Sequence, residues 1–203
     1  MRTTRYHHAL NRVLDPLAAL VARTGISPSA ITVATPCLGA GICFWFVRTG
    51  AVLPFCVLIL LVGALDGLDG AVARASRRVT KFGAYLDAVC DRYFDAMVVV
   101  AAAVVTGHWL LSSIVLVGAL LVSYAKARAA MEVSVSNLEW PDMMERTERA
   151  LIFIGGLAAS DLVSWRPLGR DLFWWTLLIL ALLIHLTVLQ RVLRAQRFIR
   201  SRA

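Results

Sequence analysis

The chain has 203 residues, 59% of them hydrophobic, and a mean hydropathy of +0.72. A soluble domain is about 45–50% apolar, so an ordinary soluble globule is excluded and an integral membrane protein is expected. The net charge of +8 suits anionic headgroups and a phosphorylated substrate; nucleic acid is set aside as a partner, because the basic residues flank apolar spans.

Met1–Leu10 is polar and no cleavage pattern follows, so no signal peptide is expected. From Tyr6 to Arg23, Leu10, Val13, Leu14, Leu17, Leu20 and Val21 recur at helical spacing with charges opposite. This predicts a short amphipathic helix lying in the cytoplasmic interface, kinked or restarted at Pro16. Thr24-Gly25-Ile26-Ser27-Pro28-Ser29 reads as a stop, a turn and a new helix start. Six apolar segments follow, at Ile31–Val47, Ala51–Leu65, Ala84–Thr106, Trp109–Ala125, Ala150–Val163 and Leu172–Leu189. Several fall short of the roughly 20 residues a crossing helix needs. The second, third, fourth and sixth lengthen only into charged sequence, so those ends protrude into water or line a polar cavity. Thr106-Gly107-His108 predicts a tight outer turn. Met131 to Met144 is the longest polar stretch and is expected to be a mobile loop. Trp109, Trp165, Trp174 and Trp175 fall near the outer interface. Cys37, Cys43, Cys56 and Cys90 lack metal-ligand spacing and read as small buried hydrophobes. With no repeat or long linker, one domain over 1–203 is expected.

The fold class that follows is all-α: six transmembrane helices preceded by the N-terminal interfacial helix. Of the 21 lysines and arginines, all but Arg48, Arg92, Arg166 and Arg170 fall on one side when both termini are placed in the cytoplasm. The positive-inside rule therefore predicts a multi-pass cell-membrane protein with cytoplasmic termini.

The stretch Asp66 to Asp91 carries the chemistry. Asp66 and Asp69 are three apart, Asp87 and Asp91 four apart, and each spacing puts two carboxylates on one helix face. Four carboxylates converging in a low-dielectric setting repel strongly. Divalent cations offset that repulsion, and oxygen ligands suit Mg²⁺, Mn²⁺ or Ca²⁺. The plainer reading is an ion-pair network with Arg74, Arg77 and Arg92, but carboxylates outnumber cations at membrane depth. Gly70 and Gly83 allow close backbone approach, and Arg74, one turn after Gly70, is placed to meet a phosphate.

The motif Asp66-x-x-Asp69-Gly70-x-x-Ala73-Arg74, eight residues, then Gly83-x-x-x-Asp87-x-x-x-Asp91 resembles the signature of the CDP-alcohol phosphatidyltransferase family at every fixed position. The resemblance implies that an alcohol attacks the β-phosphate of a CDP-linked lipid and CMP leaves. It implies Asp66, Asp69, Asp87 and Asp91 as ligands of Mg²⁺, two ions being expected and Mn²⁺ a possible substitute, with Asp91 also the catalytic base. Nucleotide contacts map onto Ser29, Thr32, Gly70, Arg74 and Thr80; the family often has Asn or Asp where Ser29 stands. A homodimer in contact with membrane lipids is the family expectation.

For the acceptor, Ser123-Tyr124-Ala125-Lys126-Ala127-Arg128, Glu145-Arg146-Thr147-Glu148-Arg149 and Gln190-Arg191 are similar to segments of phosphatidylinositol-phosphate synthases and their archaeal ether-lipid counterparts. That subfamily implies Lys126, Arg128, Arg149 and Arg191 as the residues holding inositol phosphate, and cations at cytoplasmic helix ends suit a dianion. Their plainer readings are positive-inside flanks, a helix-end pair with Glu145, and a basic tail. The alternatives are the same chemistry on glycerol phosphate or another polar alcohol, a divalent-cation transporter, and an inert lipid-binding homologue. A cation pathway would avoid the basic patch, which a phosphorylated polyol requires.

Overall fold

The computed structural model describes residues 27–76, 79–132 and 144–202, apart from the side chains of 65–69 and 201–202. The expected interfacial helix over Tyr6–Arg23 lies outside them, as does most of the Met131–Met144 stretch. The described residues form six α-helices and one 3-10 turn and contain no strand: α1 Pro28–Thr49, α2 Val52–Ala75, α3 Lys81–Thr106, α4 Trp109–Glu132, α5 Arg146–Leu162, the 3-10 turn Pro167–Gly169, and α6 Leu172–Arg202. Pro28–Thr49, Trp109–Glu132 and Leu172–Arg200 are long and apolar enough to cross a membrane, and Val52–Ala64 is a shorter apolar helix. Every apolar segment read from the sequence coincides with one of these helices, Ala51 and Val163 standing at the caps. The chain divides into two compact units, Met1–Val98 and Val99–Ala203.

In the first unit, α1 starts where the turn chemistry places it. Ser27 is the N-cap, its hydroxyl accepting the Ala30 N–H at 3.2 Å, with Pro28 at the first helical position. The helix stops at Gly50, whose φ of 65° suits a residue without Cβ and whose N–H reaches the Phe46 carbonyl at 2.8 Å. Phe46 and Phe55, both fully buried, stack across this turn with centroids 3.9 Å apart, tying α1 to α2. A Cβ on Gly39 would lie 2.7 Å from the Phe94 ring, so α1 meets α3 closely there.

In the second unit, α4 and α5 both pack on α6. Phe173, Leu177, Leu180, Ile184 and Thr187 are buried along one face of α6. Phe153 of α5 meets Phe173 edge-on at 5.2 Å. Glycines set two contacts: a Cβ on Gly118 would lie 2.6 Å from Ile184 Cγ2, and one on Gly156 would collide with Thr176. The turn at Gly107 is as expected, with φ 76° and its N–H on the Ala103 carbonyl at 2.9 Å.

One detail departs from expectation. Cys37 is exposed on α1, whereas Cys43 and Cys56 are buried; an apolar segment has an outer face as well as an inner one. His185 packs on α4, where a Cβ on Gly118 would lie 2.8 Å from its ring, and its Nδ1 is 2.9 Å from the Ala181 carbonyl, beside an apolar groove lined by Leu111, Ile114, Leu182 and Leu186.

Candidate active site

The signature runs along α2 and α3, both in the first unit. Asp66 and Asp69 lie on α2 with their side chains outside the described residues. Asp87 and Asp91 stand one turn apart on α3. The Asp91 carboxylate is only 14% exposed; its Oδ2 is 3.2 Å from Arg92 Nη1, which also donates to the Ala88 carbonyl at 3.0 Å. Among the described residues no three His, Cys, Asp or Glu side chains converge as a metal-binding set, and Asp87 and Asp91 are the described half of the quartet. Two hard oxygen donors one turn apart suit a divalent cation, while the Asp91–Arg92 pair is one contact of the ion-pair network that the plainer reading named.

The glycines and polar residues around them have local roles. The Arg74 guanidinium folds back over Gly70, where a Cβ would lie 3.4 Å from Nη1, so the two share a face as their spacing predicts. Thr80 accepts the Gly83 N–H at 2.9 Å and so caps the start of α3; a Cβ on Gly83 would stand 3.1 Å from that hydroxyl oxygen. Thr32 is buried on α1 and donates to the Pro28 carbonyl at 3.1 Å, and Ser29 is half-buried one turn before Val33.

The proposed acceptor residues all lie in the second unit. Arg191 of α6 is 5% exposed, and its Nη1 donates to the Val122 carbonyl of α4, one turn before Lys126. Lys126 is half-buried. Arg128 is half exposed and pairs with Glu132 at 2.6 Å, a solvated i,i+4 bridge. Arg149 is half-buried near the start of α5 and donates to the Met144 carbonyl at 3.1 Å; the capping box there joins Glu145 and Glu148, not Glu145 and Arg149.

Sequence reading missed a polar clasp at the opposite end of this unit. Asp171 accepts the Trp174 N–H at 2.8 Å and lies 2.8 Å from His108 Nε2. Burial opposes its ionisation, but the Trp174 hydrogen bond and the His108 contact outweigh burial and hold the carboxyl below its ordinary value of 3.8. An aspartate just before the long apolar run at Leu172 was the available signal, since that is an N-cap position.

Comparison with known proteins agrees with the signature. A sequence model of the CDP-alcohol phosphatidyltransferases matches residues 25–186. The chain is 30% identical over 177 residues to the phosphatidylinositol phosphate synthase of Corynebacterium glutamicum, covering 81% of this chain and 77% of that protein. It is 31% identical over 187 residues to the archaetidylinositol phosphate synthase of Pyrococcus horikoshii, covering 91% of each. The crystal structure of the Mycobacterium tuberculosis phosphatidylinositol phosphate synthase with CDP-DAG bound superposes with a TM-score of 0.78 at 26% identity, over 91% of this chain and 94% of that one. The same enzyme with manganese and citrate gives 0.78 over 90% and 88%. The match extends over most of the chain and the motif of α2 and α3 is intact, so this protein belongs to the CDP-alcohol phosphatidyltransferase family and is a transferase of phospholipid biosynthesis.

Proposed function

We propose that the chain transfers a phosphatidyl or archaetidyl group from a CDP-lipid to inositol phosphate, releasing CMP. What carries this reading is that relatives at 30% and 31% identity differ in their lipid, one named for a phosphatidyl and one for an archaetidyl product, yet share an inositol phosphate headgroup. The basic residues Lys126, Arg128, Arg149 and Arg191 support it, because a phosphorylated polyol brings a dianion that they would bind. A cation pathway has no use for such a patch, and the family is one of transferases.

In this reading Asp66, Asp69, Asp87 and Asp91 hold divalent cations, Mg²⁺ first and Mn²⁺ as a substitute. Bound there, the metal supplies charge stabilisation to the attacking and leaving oxygens. Arg74 binds the nucleotide diphosphate over the bare backbone of Gly70, with Ser29, Thr32 and Thr80 as further polar contacts. The acceptor hydroxyl oxygen forms a new bond to the β-phosphorus as the bond to the CMP oxygen breaks. Asp91 takes the hydroxyl proton. We further propose that the chain crosses the cell membrane six times after an interfacial N-terminal helix, with both termini and the reacting groups cytoplasmic, and that it works as a homodimer.

The test is CMP release by purified protein with Mg²⁺ and CDP-lipids of both ester and ether type. Inositol phosphate, free inositol, glycerol phosphate and serine are compared as acceptors. Release confined to inositol phosphate is expected. Release with glycerol phosphate instead would keep the chemistry and reassign the basic residues.

A further inference from the structure

The second unit contains a buried acceptor atom that the mechanism above does not use. The side-chain Oε1 of Gln190 is shielded from solvent and receives no hydrogen bond among the described residues. A buried carbonyl oxygen without a donor is costly, and native structures seldom keep one without a purpose.

Its place in the fold says what could supply that donor. Gln190 lies fourteen residues after Thr176 on α6, which returns it to within about 40° of the same flank. Thr176 marks the flank that meets α5 at Gly156. Helices α5 and α6 are joined only by the short segment around Pro167–Gly169, so Gln190 and Arg149 both lie toward the end of this pair remote from that connection. Arg191, the next residue, is anchored to Val122 near the C-terminal end of α4, one turn before Lys126. A carbonyl acceptor therefore sits at the same end of the unit as the cations assigned to the acceptor phosphate. Cations bind phosphate oxygens, which have no proton to give; a carbonyl binds hydroxyls, which do.

We propose that Gln190 is a specificity-determining residue whose side-chain carbonyl accepts a hydrogen bond from a hydroxyl of the phosphorylated polyol. The proposal rests on inositol phosphate being the acceptor. It adds a division of labour: the basic residues select the phosphate and Gln190 selects the hydroxylated ring. A site built to bond a substrate hydroxyl discriminates strongly against the analogue lacking it.

The experiment compares wild type with Gln190→Leu, measuring the KM for inositol phosphate, the KM for CDP-lipid and thermal stability in detergent. A series of mono-deoxy inositol phosphates is then run on both proteins. The expected result is an acceptor KM raised about tenfold with the CDP-lipid KM unchanged. One deoxy analogue should also be penalised in wild type but not in the variant. If the variant discriminates among all the deoxy analogues as wild type does, the proposal is overturned. A purely packing role would lower stability and raise both KM values together, and that result overturns it as well. Gln190→Met, closer in length, serves if the leucine variant does not fold. Failure of the underlying reading is visible separately, as wild type that turns over glycerol phosphate and ignores inositol phosphate, and it removes this proposal too.

Discussion

Asp91 is where the chemistry of single residues is most concentrated. Its carboxylate is withdrawn from water and lies against Arg92. Asp91→Asn keeps the shape and removes the charge. CMP release is expected to fall by about 10²–10⁴-fold, with CDP-lipid binding largely kept; turnover within a few-fold of wild type would remove Asp91 as the base. Arg191 presents a second test. Buried and held by the Val122 carbonyl, its guanidinium has a fixed position from which to meet an anion. Arg191→Gln is expected to raise the acceptor KM by roughly tenfold or more and to leave the CDP-lipid KM nearly unchanged. Parallel rises in both constants would argue against a dedicated acceptor site.

Helix packing in the second unit depends on small residues rather than on large apolar ones. Gly155 and Gly156 are adjacent in α5, yet a Cβ meets nothing within 4 Å at the first and collides with Thr176 at the second. Thr is β-branched and stiff, so the collision is not relieved by a rotamer change. Gly156→Ala is expected to destabilise the protein by about 1–3 kcal/mol, whereas Gly155→Ala is expected to be neutral or slightly stabilising because alanine favours the helix. Thermal unfolding of both variants in one detergent decides this, and equal shifts would mean the α5–α6 contact is looser than described. The helices also run past the apolar segments that predicted them. The second segment ends at Leu65 in hydropathy, but α2 continues to Ala75, since hydropathy reports where lipid is tolerated and not where backbone hydrogen bonds stop.

Two expectations concern the whole molecule. The His108–Asp171 clasp joins the start of α4 to the start of α6. The folded-state pKa of Asp171 lies below its ordinary 3.8, so folding favours the ionised form. Its contribution to stability is complete above about pH 4 and is lost as pH falls through the lower folded value. The melting temperature of wild type should decline more steeply on the acid side than that of Asp171→Asn; superimposable acid limbs would show the clasp contributes nothing. Chelation with EDTA should abolish CMP release, and added Mg²⁺ or Mn²⁺ should restore it. Activity that survives exhaustive chelation would contradict the role assigned to the aspartates.

Much of this protein was legible in its residues. Composition announces a membrane protein, and Ser27-Pro28 and Gly107 mark their helix boundary and turn because capping and positive φ are local demands. The aspartate signature is legible for the same reason, since carboxylates three and four apart share a helix face wherever that helix lies. Side-chain partners were not legible. Nothing along the chain says that Arg191 reaches Val122, sixty-nine residues away, or that His108 finds Asp171. Nor does it say that Leu186 faces outward while Thr187 is fully buried. Those outcomes depend on which helices pack together and on how each is rotated about its axis, and long-range packing, unlike local periodicity, has no signature within a short window of sequence.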